Sequence, residues 1–222
     1  MSSSINTILN SSGTALIIFT VSAALAGIWT KSAATRIAAG LAVLVATLFL
    51  SISTRSLFAW TVSGVERPSF PGFMLLAVLA VATITRRPIA ASAEFRFATL
   101  VLAVAGLFLY PAANGFLNRD PYVAGYSGYL LCAAVAVVIA YALFRGYLLT
   151  AFALNVAIVA FLLNVGASRN LWDYVMDPVA WLIGCGTWIA LAAGFAIRAI
   201  APAKIQPVSQ PSSGIGETPI SH

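Results

Sequence analysis

Apolar residues run through this chain in long unbroken stretches and do not alternate with polar ones. A membrane-spanning helix needs ~20 mostly apolar residues, with ~17 to 25 tolerated. Seven stretches meet that requirement: residues 13–30, 36–53, 69–85, 95–117, 122–144, 147–166 and 178–200. Continuous runs predict helices; a lipid-facing barrel strand would alternate its faces. The expected fold class is therefore all-α: a polytopic transmembrane helical bundle of about seven spanning helices. The second and third stretches are the shortest. The fifth and sixth are divided only by Phe144-Arg145-Gly146, which predicts a tight turn between antiparallel helices. Three regions follow. Residues 1–12 form a short polar N-terminal tail, residues 13–200 the bundle, and residues 201–222, rich in Pro, Ser and Gly, a disordered cytoplasmic tail.

Composition agrees with that pattern. The chain is 61% hydrophobic and 8% charged, with mean hydropathy +0.97, whereas a soluble domain carries about 25% charged residues. A soluble fold is excluded. The net charge of +6 is spread over basic residues that stand singly or in pairs, not in the stripe that a nucleic acid requires. Those residues serve better as topology signals, since Lys and Arg collect on the cytoplasmic side. With the N-terminus outside, Lys31, Arg36, Arg86, Arg87, Arg96, Arg145, Arg198 and Lys204 fall inside, and only Arg55, Arg67, Arg119 and Arg169 fall outside. The bias favours an outer N-terminus and a cytoplasmic C-terminus. The first residues lack the positive region of a signal peptide, so the first stretch is expected to be retained as a span. Trp29, Tyr122, Tyr126, Tyr129, Trp172, Tyr174 and Trp181 sit near span ends, as an interfacial aromatic belt would. Alanine-rich spans that prefer Arg to Lys point to a bacterial cytoplasmic (inner) membrane.

Much chemistry is excluded. His222, in the tail, is the chain's one histidine, and Cys132 and Cys185 lack partner ligands at metal spacing. Neither a metal nor a cofactor is expected. The two cysteines read as small buried hydrophobes in preference to a disulfide. Essentially no ionisable group falls at mid-depth, which weighs against an ion-coupled transporter. Asn114, Thr150, Asn155 and Asn164 read as interhelical hydrogen-bonding groups. Pro111 predicts a kinked end to the fourth helix, with a broken helix lining a polar cavity as the alternative. Small residues recur every fourth position at Ala38, Ala42 and Ala46 and at Gly186, Ala190 and Gly194. Such stripes let helices approach closely, within a compact bundle or against a partner.

Two loops on the expected outer face, residues 118–129 and 169–178, each carry an Arg, an Asp-Pro step and aromatics. Asp120 and Asp177 fit helix N-caps ahead of a proline. Asp173 caps nothing evident and pairs most simply with Arg169 at i, i+4. Alternatively Asn114, Asn118, Arg119, Arg169 and Asp173 form one outer-face polar cluster, in which arginine forks suit an anionic lipid headgroup or a lipid-linked sugar phosphate. The leading functional expectation is a non-catalytic subunit or accessory factor in envelope or lipid-linked processes. Its expected partners are the bilayer, a membrane protein or a second copy, and an anionic lipid or lipid-linked ligand. A permease, channel or flippase-like carrier with an outward-facing cavity comes second, and an intramembrane enzyme last.

Overall fold

The structure, a computed structural model, describes residues 2–64, 67–87, 92–116, 120–127, 129–165 and 168–200. Each of the seven apolar stretches carries a helix. These are α1 (Ser2–Trp29), α2 (Ala33–Phe49), α4 (Phe70–Thr85), α5 (Ala93–Ala113), α7 (Tyr129–Phe144), α8 (Leu148–Leu162) and α10 (Pro178–Ile200). Between them lie a hairpin, β1 (Ser51–Ile52) with β2 (Arg55–Ser56), and the shorter helices α3 (Leu57–Gly64), α6 (Ala124–Ser127) and α9 (Trp172–Val175); a 3-10 turn, Pro121–Val123, leads into α6.

Three helical segments are long and apolar enough to cross a membrane: Ile5–Trp29, Ala93–Ala112 and Pro178–Ala199. A fourth is added if Pro121–Ser127 and Tyr129–Phe144, bent by 93°, are one broken span. Helices α2, α4 and α8 have 17, 16 and 15 residues. At 1.5 Å per residue they reach only ~23 to 26 Å, short of the ~30 Å hydrocarbon layer.

Local structure departs from expectation in two places. The polar residues 2–12 are not a tail, because α1 begins at Ser2. Their amides find partners across the bundle: Asn10 Nδ2 donates to the Val62 carbonyl at 3.5 Å, and Asn6 Oδ1 accepts from Arg67 at 3.2 Å. The second apolar stretch stops at Phe49, where the chain turns through Ser53 (φ 61°) into the hairpin and the unforeseen α3. Residues 201–222, expected as the tail, lie outside the described residues.

Close approaches at glycine set the packing. A Cβ at Gly40 would meet the Phe19 ring, which fixes α2 on α1, and one at Gly13 would meet Pro68. Gly184 lies against the Thr99 carbonyl and the Ala103 backbone, and Gly106 against the Trp181 ring, so α5 and α10 are in near contact. Leu75, Leu102, Leu109, Val135, Ile139 and Leu154 form the core. The opposite faces are apolar as well, with Val137, Phe152, Leu182 and Phe195 exposed. Helices that are apolar all round need lipid or protein on their outer side. This is the surface of a membrane protein.

Polar side chains tie the ends of the helices together. At one end of the bundle the α1–α2 turn and the close of α4 are bound by arginine. Arg36, 2% exposed, donates to the Thr83, Lys31 and Ser32 carbonyls. Arg86 donates to the Gly27 carbonyl at 3.0 Å and the Thr30 carbonyl at 2.6 Å. The last carbonyls of a helix lack intrahelical partners, and these two side chains supply them. On the same end Glu94, from α5, accepts from Thr150 N and Oγ1 and so caps α8.

Candidate functional site: a polar pocket at the other end

The two loops singled out in the sequence do meet. Asn170, fully buried, donates through Nδ2 to the Tyr122 carbonyl at 2.9 Å and accepts from Trp172 N through Oδ1 at 3.0 Å. Leu171 N donates to the Gly125 carbonyl and Trp172 Nε1 to the Pro121 carbonyl. A Cβ at Gly125 would overlap the Asn170 amide, so only glycine permits the approach.

The expected Arg169–Asp173 pair is not what holds Asp173. Its two oxygens accept from the Tyr122 hydroxyl, each at 3.0 Å, while Arg169 is exposed. Nor do Trp172 and Tyr174, expected in the aromatic belt, or Leu171 beside them, point outward. All three are buried and pack in the core, because the loop folds inward over α9. Trp29, Tyr126 and Tyr129 are exposed, as a belt requires.

Asp120 Oδ1 accepts from Tyr122 N at 2.8 Å and caps the 3-10 turn. Asp177 caps α10 through Oδ1, which accepts from Ala180 N at 2.8 Å. Its Oδ2 has a second task, accepting from Ser69 N at 2.8 Å and from Ser69 Oγ at 2.6 Å. Ser69 is itself the N-cap of α4, its Oγ accepting from Gly72 N. One buried carboxylate thus sits at the positive ends of two helix dipoles and ties α4 to α10.

Of the remaining expected cluster, Asn118 and Arg119 lie outside the described residues. Asn114 is exposed at the end of α5, where Nδ2 donates to the Tyr110 carbonyl. Helix α5 carries on through Pro111 and closes in a Schellman turn, with Phe116 N bonded to the Pro111 carbonyl and Gly115 at φ 81°. The interhelical roles expected for the other amides also fail. Asn155 is exposed and donates to its own helix at Ala151. Asn164, at φ 51°, is the left-handed residue that ends α8, a position asparagine tolerates. Thr150 alone is buried and bonded across helices. Cys132 and Cys185 are free thiols, each half-buried.

Beside the joined loops lies a pocket of about 220 Å³, lined by Asn6, Asn10, Arg67, Ser168, Asp173, Met176 and Asp177. Arg67 donates to Asn6 and lays its guanidinium 5.5 Å from the centre of the Tyr174 ring. Asn10 Oδ1 is buried without a hydrogen-bond partner. The cluster expected from the sequence does not include Asn6, Asn10 or Arg67, the last of which is read there only as a topology signal. The two amides lie in the stretch expected to be a tail, and no local spacing links them to residues 168–177. Among the described residues no three His, Cys, Asp or Glu side chains gather as a metal site would require.

The small-residue stripes form a second candidate surface. Ala38, Ala42 and Ala46 are exposed, as are Gly186 and Ala190, with Gly194 half-buried. Among the described residues, a Cβ at Gly186 or Gly194 would meet nothing within 4 Å. The bundle packs through other small residues, Gly40 on α2 and Ala180 and Gly184 on α10. Comparison with known protein families, with curated proteins and with solved structures finds no match to this chain.

Proposed function

We propose that the protein is a non-catalytic membrane subunit or accessory factor, acting in envelope or lipid-linked processes. The observation that carries this reading is the outward position of the small-residue face on α10. In lipid no hydrophobic force drives helices together, and close approach at small residues supplies the dispersion contacts instead. A face of Gly186, Ala190 and Gly194 that its own bundle leaves open is shaped for another helix. The charged groups support the same reading. Arg36, Arg86, Glu94, Asp120 and Asp177 satisfy helix ends, which is architecture and not turnover.

In this reading all seven long helices cross the bilayer, the short ones by local thinning. The N-terminus lies outside a bacterial inner membrane and the C-terminus in the cytoplasm. Native mass spectrometry from mild detergent tests the function. A defined stoichiometric partner or oligomer is expected, and Gly186→Leu with Gly194→Leu should lower its occupancy at least tenfold while thermal stability stays unchanged. A wholly monomeric protein, or an assembly indifferent to both substitutions, would remove the basis for the proposal. The polar pocket favours a carrier as the second reading, for which the protein alone in liposomes should move a polar solute.

A further inference from the structure

The pocket at the α1, α4 and α10 ends holds opposite charges that do not neutralise one another. Among the described residues the bonds of Arg67 go to Asn6 and to the Tyr174 ring face, and those of Asp173 go to Tyr122. The pair lines one small cavity without an ion pair between its members. Asp177, the third charge in the wall, is already saturated by Ser69 and Ala180 N and by the two helix ends. What remains is one cation and one carboxylate held apart.

Unmet hydrogen-bonding capacity divides in the same way. A guanidinium carries five N–H donors, of which Arg67 commits one group to Asn6. On the acceptor side, Asp173 has lone pairs beyond those facing the Tyr122 hydroxyl, and the buried Asn10 Oδ1 has no donor at all. A purely anionic ligand would satisfy Arg67 but leave Asn10 Oδ1 unpaired and face two carboxylates. A primary ammonium has three donors and no acceptor, which suits Asp173 and Asn10 together. About 220 Å³ is several times the ~30 Å³ share of one water, enough for a compact headgroup.

We propose that this pocket binds a small zwitterion of the phosphoethanolamine type, its ammonium on Asp173 and Asn10 Oδ1 and its phosphate on Arg67. The proposal is independent of assembly through the α10 face. The same chemistry comes from a phosphatidylethanolamine headgroup or from a soluble amino-phosphate.

Purified full-length protein in neutral detergent would be titrated with dioctanoyl phosphatidylethanolamine, phosphatidylcholine and phosphatidylglycerol, and with free phosphoethanolamine, and read by native mass spectrometry. Phosphatidylethanolamine should bind at least tenfold tighter than phosphatidylcholine, which has no N–H, and than phosphatidylglycerol, which has no cation. If free phosphoethanolamine displaces it, the headgroup alone is read; if the free compound binds and the lipid does not, the ligand is soluble. Either result upholds the zwitterion. Asp173→Asn and Arg67→Gln should each weaken binding tenfold or more, and Arg169→Gln, outside the pocket, should not. Should Asp173→Asn unfold, Asn10→Leu removes the unpaired oxygen from within α1 and should give the same loss. Equal binding of phosphatidylcholine, preference for phosphatidylglycerol, absence of all binding, or indifference to Asn10→Leu and Arg67→Gln overturns the assignment.

Discussion

Three donors at the starts of two helices end on the Asp177 carboxylate. The residue is only 3% exposed, so its removal leaves buried donors short of their acceptor. A hydrogen bond to a charged group contributes about 1.5 to 3 kcal/mol, and a buried donor left alone carries a similar penalty. Asp177→Ala should therefore destabilise the protein by about 3 kcal/mol, read as a lower midpoint of thermal unfolding in detergent. Asp177→Asn, which retains an acceptor for either Ser69 or Ala180, should recover part of that loss. An Asp177→Ala protein that melts like the parent would contradict the two-helix role. Half of this role was legible in the sequence. Asp before Pro at the start of an apolar run is a local capping signal. The Ser69 bond is not, since the partners are 108 residues apart and each looks complete as a cap of its own helix. Asp173 misled for the same reason: its i, i+4 arginine was the visible neighbour, and Tyr122, 51 residues away, is the real one.

At the scale of elements, small residues spaced by four occur on more than one side of α10. Gly186, Ala190 and Gly194 form the longer and more regular series, yet α10 meets α5 through Trp181 and Gly184. Spacing identifies a face capable of close approach; it does not say which face the rest of the chain takes. That choice depends on α5, where Gly106 makes room for Trp181 and the Thr99–Ala103 turn presents bare backbone to Gly184. The two faces should therefore respond differently to bulk. Gly184→Leu has no space and must push α10 from α5, at a cost of about 1 to 3 kcal/mol for overpacking. Gly186→Leu enters open space and should leave the melting midpoint unchanged. Differential scanning fluorimetry of the two single variants separates them, and equal destabilisation would show that Gly186 is also packed within the chain. The elements themselves were more legible than their contacts. All seven apolar stretches contain helices, and the Phe144-Arg145-Gly146 turn closes α7 with Gly146 at φ 71°. The hairpin and α3 were not foreseen, since an eight-residue apolar helix is too short for a spanning pattern to register.

For the whole molecule, the hydrogen bonds at helix ends sort the charges into two groups. Arg36 and Arg86 join the close of α1 and α4 to the start of α2 and Glu94 joins the starts of α5 and α8, while Arg67, Asp173 and Asp177 gather where α1, α4 and α10 begin. Lys31 and Arg145 belong with the first group, in the α1–α2 and α7–α8 turns. The grouping by bundle end puts Lys31, Arg36, Arg86 and Arg145 together and Arg67 apart from them; helices α2, α4 and α8 are short for a bilayer. The short helices are packed against longer neighbours: α4 and α8 bury Leu75, Leu76, Leu154 and Ala157 in the shared core. If the chain crosses seven times with its basic end inward, the two groups lie on opposite sides of the membrane. Single cysteines introduced at Arg87 and Arg169, in a background with Cys132 and Cys185 changed to Ser, make this measurable with a membrane-impermeant maleimide on intact cells. Arg169→Cys should react in intact cells, and Arg87→Cys only after the membrane is opened. The reverse pattern would place the pocket in the cytoplasmic leaflet, and labelling of both from outside would mean an even number of crossings between residues 87 and 169. Since α5, α7 and α8 are the long helices in that interval, such a result would remove one of them from the set of spans.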